Sequence, residues 1–485
     1  MNQNQFVNAV ENGITETTNG MPAFRGTDSK VLDFFYKAPG YRKDQAEVKA
    51  LFIKALEEDQ VLALRVAKWL RDVRGGAGER QSFRTILKYA AENLDTDILE
   101  SLAASIIELG RWDDLWTIID LKNQEAVANK IVMLMVEAGI EANCGLMFKW
   151  MPRKGPIRLF LEKGLGLTSK QYRKMVVDGS KVVETQMCAK KWDEINFSQV
   201  PSIAASRYRK AFARNTPKYK EYLEKLTKAV ATNDFTEAHV NTGAIFPHDV
   251  IPAGAMTYYG GNTVSAEEKE HAMAQWAMLP NFVGSMSILP IIDSSGSMCG
   301  KPIGNRNAMT IAASLGLYLA EKNTGVFKNV VCNFSDKAEL KVLAGNLFDK
   351  LQQIQQMPWG MNTNLESAVA EILSVAKRNN VPQKDMPESI IILSDMQFDA
   401  CVQLPKANAM DTINWMYEMN GYNPPVVIFW NIASSDNVPV KIHDTGVALF
   451  SGYSPSIMKS LLETDGKDIT PYGMMLKTIM TERYN

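Results

Sequence analysis

The chain has 485 residues, which is more than one hydrophobic core usually holds, so we expect two or three domains. Hydrophobic residues make up 46% of the chain and charged residues 22%, as in an ordinary soluble globular protein. The net charge is −1, and the five cysteines and four histidines are scattered, which argues against a disulfide framework and a zinc site.

The first 29 residues are polar and rich in Asn, Thr and Gly, so the sequence predicts a flexible arm over residues 1–29. The N-terminus lacks the basic and apolar regions of a signal peptide. No apolar run of the chain approaches the roughly 18–20 residues that span a bilayer. We therefore expect a cytoplasmic protein with no membrane partner.

Residues 30–237 have the apolar periodicity of α-helices, as in residues 48–56 and 99–109. Gly110, Gly139 and the pair Gly164 and Gly166 are predicted helix stops. Short helices without strand-like alternation predict an all-α helical-repeat domain, a HEAT-like solenoid or ring. Residues 238–283 are predicted to be a linker that ends in a helix near 265–277, capped by Ser265.

Residues 149–228 hold 19 Lys and Arg against 7 Asp and Glu, a net charge of +12 within a nearly neutral chain. Such a segment is the electrostatic footprint of a protein that binds a polyanion. The alternative is scattered, solvated charge, because the sequence does not show whether these side chains share a face.

Basic residues occur beside aromatic residues at several points, a pattern that suits phosphate contact with base stacking. Trp150 and Trp192 also fit an alternative role in the core. The Gly-rich turn at 71–80 lacks the Gly-Lys-Ser/Thr of a P-loop, so it holds a phosphate or is a plain interhelical turn. The candidate RNA-binding residues are Arg71, Arg74, Arg80, Lys149, Arg153, Lys154, Lys190, Lys191, Arg207, Arg209 and Lys210.

From residue 284 to 485, strand-like runs alternate with helix-like runs, which predicts an α/β doubly wound domain with a mostly parallel sheet. The predicted strands are 285–292, 326–334, 389–394, 426–432 and 447–450. The predicted helices are 305–322, 364–379, 411–419, 455–463 and 472–482.

Oxygen-bearing side chains follow two of these strands and precede one helix. Asp293, Ser295 and Ser297 follow the first strand, Asp395 follows the third, and Thr363 lies before a helix. Ligands bind at the carboxyl ends of strands in such sheets, and hard oxygen donors suit Mg²⁺, Mn²⁺ or Ca²⁺. The alternative is that Asp293 and Ser295 only cap a turn.

These loops resemble the metal-ion-dependent adhesion site of von Willebrand factor type A domains. The resemblance implies that Ser295 and Ser297 ligate the cation directly, and that Asp293, Thr363 and Asp395 bind it directly or through water. Asn364 stands where relatives often carry Asp, and Asp399 is an additional acid nearby.

Residues 109–115, 192–202 and 207–212 resemble the TROVE module of the Ro autoantigen family and its bacterial relatives. Residues 394–399, 429–431 and 446–454 resemble a closely related, largely uncharacterised branch. The resemblance implies helical repeats that form a ring closed by the type A domain. It also implies that single-stranded RNA ends enter the ring while structured RNA binds a basic outer surface.

The sequence therefore predicts a non-enzymatic protein that binds structured or single-stranded non-coding or misfolded RNA. Its metal site would either recruit a protein partner that supplies a carboxylate or stabilise the domain. The alternative is a metal-dependent protein-interaction scaffold without RNA. A metal-dependent nuclease is disfavoured, because Asp293, Asp395 and Asp399 are barely enough acids for a two-metal site.

Overall fold

The computed structural model describes residues 13–232, 234–242, 245–252, 254–256, 264–300, 306–433, 436–462 and 469–485. Residues 1–12 of the predicted arm and 257–263 of the predicted linker lie outside this description. The chain divides into two compact units. The helical unit comprises residues 42–52 and 67–244, and the α/β unit comprises residues 1–41, 53–66 and 245–485.

The elements below are numbered in chain order. The helices are α1 (Lys30–Lys37), α2 (Gln45–Glu58), α3 (Gln60–Arg71), α4 (Arg80–Asn93), α5 (Thr96–Leu109), α6 (Val127–Glu141), α7 (Gly145–Trp150), α8 (Pro156–Gly164), α9 (Ser169–Gly179), α10 (Val183–Cys188), α11 (Ser202–Asn215), α12 (Lys218–Thr232), α13 (Pro247–Val250), α14 (Ala266–Ala277), α15 (Ala308–Lys322), α16 (Leu347–Gln355), α17 (Leu365–Arg378), α18 (Ala409–Met419), α19 (Met458–Leu462) and α20 (Pro471–Ile479). The strands are β1 (Ile14–Glu16), β2 (Pro22–Phe24), β3 (Ile288–Asp293), β4 (Val330–Phe334), β5 (Glu339–Val342), β6 (Ser389–Ser394), β7 (Val426–Asn431) and β8 (Val447–Ser451).

The helical unit contains α-helices, short 3₁₀ turns and no strand among its described residues. In α5 the apolar side chains recur every three or four residues and are buried along one face, as the sequence predicts. Gly110 ends α5, as expected, whereas Gly139 lies inside α6. Gly139 is needed there for packing, because a Cβ would lie 2.4 Å from Met147 Sδ and 2.9 Å from the Trp112 ring.

The α/β unit contains a six-stranded sheet in the order β5-β4-β3-β6-β7-β8. All neighbouring pairs are parallel except β4 and β5, so the predicted doubly wound sheet is confirmed with one antiparallel edge. The strand order reverses between β3 and β6, and this switch point is where ligands bind in such sheets. The edge strand β5 was not predicted, because its four residues are largely half-exposed and carry no buried apolar run.

Helices cover both faces of this sheet. Residues of α17 and α18 share a buried core with alternate residues of β3, β6 and β7. On the other face α15 packs closely on β3, and a Cβ on Gly316 would lie 2.7 Å from the Ile292 side chain. Helix α14 begins after Ser265, whose hydroxyl accepts from Glu268 N, so the predicted cap is confirmed.

The N-terminal hairpin of β1 and β2 belongs to the α/β unit. Phe24 and Val438 exchange backbone hydrogen bonds of 2.8 and 2.9 Å, and Met21 is buried in the core beside the sheet. Over the described residues 13–29, this arrangement differs from the flexible arm predicted at 1–29. The division into two units also differs from the predicted boundaries at 30–237, 238–283 and 284–485. The difference arises because the hairpin packs against residues about 400 positions away in sequence. Among the described residues, no helix is both long and apolar enough to cross a membrane.

Candidate metal site and basic helical surface

Asp293 is the last residue of β3 and is fully buried at the switch point of the sheet. Its Oδ1 accepts from Ser295 N at 2.9 Å, and its Oδ2 accepts from Ser394 Oγ at 2.5 Å. The carboxylate is therefore held from its own loop and from the end of the neighbouring strand β6. A fixed carboxylate at this place in the sheet is suited to a bound cation.

Two serine hydroxyls connect Asp293 to the second acid. Ser295 Oγ and Ser297 Oγ lie 3.0 Å apart, and Ser297 hydrogen-bonds the Asp395 carboxylate. Asp395 directly follows β6, and 8% of its surface is exposed. We call these four residues the metal-site cluster: Asp293, Ser295, Ser297 and Asp395. The structure brings these four predicted ligands together.

The fifth predicted ligand, Thr363, lies buried in the loop before α17. Its backbone N–H donates to Asp399 Oδ2 at 3.0 Å, and Asp399 N donates back to Thr363 O at 3.0 Å. A bridge between Ser295 and Gly360 joins this loop to the metal-site cluster. Asn364 caps α17 by accepting from Ser367 N at 3.0 Å, which is a structural role for the residue that replaces Asp.

The electrostatics of the cluster favour a cation. Burial, and then repulsion from Asp395, raise the pKa of Asp293 to about 7. Burial also raises the pKa of Asp395, although the hydrogen bond from Ser297 acts to lower it. No salt bridge from a described Lys, Arg or His reaches either carboxylate. Because two buried anions without a counter-charge are costly, a divalent cation would stabilise this arrangement.

The donor set consists of carboxylates and hydroxyls, which fits Mg²⁺, Mn²⁺ or Ca²⁺. Across the described part of the chain, no group of three or more His, Cys, Asp and Glu side chains is placed to hold a metal. Hydroxyl groups would therefore have to complete the coordination. Metal binding by these five residues remains a prediction.

Two residues of this site were missed by the sequence analysis. Ser394 looked like an ordinary strand residue, and its link to Asp293 depends on the register of β3 and β6. Asn19 donates from Nδ2 to Thr363 Oγ1 at 3.3 Å. Its signal was the Asn-Gly pair at 19–20, which is typical of hairpin turns.

The Gly-rich turn in the helical unit has a structural role. Arg71 is buried and binds Asp114 Oδ2 through Nε and Nη2, both at 2.7 Å. The N–H groups of Ala77 and Glu79 donate to backbone carbonyls at 3.1 and 2.7 Å. Neither Arg71 nor these amides are available for a phosphate in this structure. The interhelical-turn interpretation therefore fits better, while Arg74 and Arg80 are exposed.

The aromatic residues near the basic clusters also have structural partners. The Trp150 ring packs under the Arg111 guanidinium, 3.8 Å from the ring centroid. Trp192 packs against the aromatic core that contains Phe197 and Phe212. Neither tryptophan is exposed enough to offer a full ring face, so base stacking has less support than phosphate contact.

The remaining basic residues differ in their surroundings. Lys149 pairs with Glu184 at 3.2 Å, and Lys191 pairs with Glu194 at 3.0 Å. Arg209 is half-buried and donates to Ser206 O. The exposed predicted residues are Arg74, Arg80, Arg153, Lys154, Lys190, Lys191, Arg207 and Lys210.

Helix α11 carries a row of exposed cations. Arg207, Lys210 and Arg214 are all exposed and are spaced three and four residues apart, so they lie along one face. We call these three residues the cation stripe. Helix α9 repeats the pattern with Lys170, Arg173 and Lys174, which are also exposed. Arg214 and the α9 residues were not predicted, because the sequence does not show which side chains of a helix share an exposed face.

The fold defines a class of protein with a helical-rich module and a doubly wound α/β domain. The family described as "Domain of unknown function (DUF2828)" matches residues 17–138 and 165–285, half of the chain. The chain belongs to this family. A second description, "Domain of unknown function (DUF7788)", matches residues 287–478.

Two further proteins are similar to this chain. An uncharacterised protein of Acanthamoeba polyphaga mimivirus is 26% identical over 96% of this chain and 86% of its own length. The crystal structure of the Deinococcus radiodurans Ro (RSR) protein aligns with 94% of this chain and 100% of its own, with a TM-score of 0.37 and 14% identity.

Proposed function

We propose that the protein is a non-enzymatic RNA-binding protein that holds RNA along exposed basic faces of its helical unit. The observation that carries this proposal is the cation stripe on α11. Like charges three and four residues apart cost a helix about 0.2–0.5 kcal/mol per pair. A phosphate backbone that lies along the stripe would replace this repulsion with attraction.

The class of RNA follows from the resemblance to the TROVE module together with these cations. Structured or single-stranded non-coding RNA fits a surface that offers phosphate contacts and few exposed aromatic faces. Binding through phosphates alone has little sequence preference and weakens steeply as salt rises.

We further propose that Asp293, Ser295, Ser297, Thr363 and Asp395 hold Mg²⁺ or another divalent cation. The cation would supply positive charge and an exchangeable coordination position to which a partner's carboxylate can bind. The protein residues fix the two carboxylates and orient the hydroxyls. The buried, unpaired acids of the metal-site cluster support this proposal.

A second candidate function is a metal-dependent protein-interaction scaffold without RNA. The observation that favours it is Met361, which is 82% exposed beside the metal-site loop. A Cβ on Gly296 of that loop would lie 3.1 Å from Met361 Sδ, so the two loops are adjacent. An exposed apolar side chain next to a cation suits a protein partner with a carboxylate.

The RNA proposal is tested by fluorescence anisotropy with a labelled single-stranded RNA and a labelled stem-loop RNA. The test variant reverses the stripe, R207E/K210E/R214E. Its control carries the same charge change on exposed lysines of the α/β unit, K377E/K384E/K406E. Each phosphate contact is worth about fivefold near 0.1 M salt, so three contacts are worth about 100-fold.

We expect the stripe variant to lose about this much affinity while the control variant binds like the wild type. Equal affinity of the stripe variant and the wild type would exclude this surface. If the wild type binds neither RNA, the scaffold function is favoured instead. Mg²⁺-dependent cleavage of the RNA would contradict the non-enzymatic part of the proposal.

A further inference from the structure

The turn of the N-terminal hairpin is fixed to the loop that follows β6, within the α/β unit. We call residues 17–20 the N-terminal turn. Thr17 Oγ1 donates to Phe398 O at 2.5 Å, and Thr18 N donates to Gln397 Oε1 at 2.7 Å. Gly20 forms an antiparallel bridge with Asp399. The N-terminal turn therefore lies on the loop that begins with Asp395.

Within this turn the Asn19 amide points to oxygen atoms of the metal-site loops. Its Nδ2 donates to Gln397 O at 2.7 Å and to Thr363 Oγ1 at 3.3 Å, and its side chain also bonds Asp399. Because the Gln397 carbonyl and the Asp399 carboxylate can only accept, the nitrogen end of the amide must face them. Asn19 thus joins the loop of Thr363 to the loop of Asp395.

This contact determines how Thr363 presents its hydroxyl. A threonine oxygen has two lone pairs and one proton. When Asn19 donates to one lone pair, the other remains for a cation, and rotation of the side chain is restricted. Asp399 is held by the same amide and by Thr363 N at 3.0 Å, so the loop backbone is restrained as well.

We propose that Asn19 is a positioning residue of the metal site, through which attachment of the N-terminal turn and binding of a divalent cation stabilise each other. The inference rests on the proposed metal site. Residues that orient a metal ligand typically contribute about 10–100-fold to metal affinity. Coupling between two binding events is reciprocal, so the cation must also hold the turn more firmly.

The test measures Mn²⁺ affinity by isothermal titration calorimetry for the full chain and three variants. N19A removes the contact with Thr363. T17A removes the bond to Phe398 and loosens the turn without touching Thr363, and T18A changes an exposed side chain while its backbone contact remains. We expect N19A to bind Mn²⁺ about tenfold more weakly, with a smaller loss for T17A and none for T18A.

A second measurement follows hydrogen exchange of the backbone amides of residues 17–21 with and without Mn²⁺. We expect Mn²⁺ to slow exchange in the wild type and to have little effect in N19A. Equal Mn²⁺ affinity of N19A and wild type would overturn the inference, as would equal losses in N19A and T17A. If the wild type itself binds no Mn²⁺, the metal site is excluded. If the wild type and N19A bind Mn²⁺ equally, the metal site remains and only the role of Asn19 is excluded.

Discussion

The two units of the molecule differ in the sign and the burial of the charges that have no internal partner of opposite charge among the described residues. At the carboxyl ends of β3 and β6 in the α/β unit, two carboxylates are buried with no described basic residue paired to them. On α11 of the helical unit, three cations are exposed along one face. The helical unit also buries a paired network around Asp114, which shows that it can compensate charge internally. The proposed ligands, a divalent cation and RNA, are therefore assigned to the charges that lack an internal partner of opposite charge among the described residues.

The largest expected effect is a loss of stability when the paired network around Asp114 is broken, compared with little loss when the cation stripe is reversed. Asp114 is fully buried and binds Arg71 and Arg84, so D114A leaves two cations without their carboxylate. We expect a loss of about 3–5 kcal/mol in the free energy of unfolding, measured by urea denaturation. The stripe variant R207E/K210E/R214E should unfold within about 0.5 kcal/mol of the wild type. Equal losses would contradict a structural role for Arg71.

The next effect concerns the unpaired acids. D293N removes one of the two carboxylates, and we expect Mn²⁺ affinity to fall by at least about 100-fold in calorimetry. D385N changes an acid of the same unit in a 3₁₀ turn that precedes β6, whereas Asp395 follows this strand, and it should bind Mn²⁺ like the wild type. Wild-type affinity in D293N would contradict the metal site.

The pH dependence of stability tests the same acids without relying on affinity. Burial and repulsion raise the folded-state pKa of Asp293 to about 7. At pH values between the ordinary aspartate pKa and about 7, the folded protein therefore binds more protons than the unfolded chain. Its contribution to stability therefore falls as pH rises through this window. We expect thermal scans to show this fall without metal and to show it reduced by Mg²⁺. The contribution of Asp293 is measured as the difference in stability between the wild type and D293N without metal. If this contribution rises with pH, Asp293 is not a buried carboxylate without a counter-charge.

The smallest expected effect comes from a single stripe residue. R207A removes one phosphate contact, and we expect about fivefold weaker RNA binding near 0.1 M salt. The matched variant R378A removes an exposed arginine of the α/β unit and should have no effect. A larger loss with one RNA sequence than with another would indicate that Arg207 contacts a base.

The sequence predicted the parts of the structure that depend on local patterns. Helix periodicity, the alternation of strands and helices, and the loops of Asp293 and Asp395 are all visible in short stretches of sequence, and the doubly wound sheet followed from them. The sequence also selected Arg207 and Lys210 on α11. It missed Arg214, because exposure along one face depends on which side of α11 packs on the unit.

The parts that the sequence did not predict depend on contacts between distant segments. Asn19 and Thr363 are 344 positions apart, and only the folded hairpin brings them together. Burial of Arg71 against Asp114 is equally invisible, since the sequence shows an arginine beside a Gly-rich turn. The sequence therefore does not show which charged residues, such as Arg71, are occupied by partners elsewhere in the chain.

The central proposal is that the exposed cations of the helical unit bind RNA. The most direct test is the slope of log Kd against log salt concentration, measured between about 50 and 200 mM salt for the wild type, the stripe variant and D293N. At about 0.7 per phosphate contact on single-stranded RNA, the slope of the stripe variant should be lower by about 2, and that of D293N should equal the wild type. Identical slopes for the stripe variant and the wild type would contradict the account.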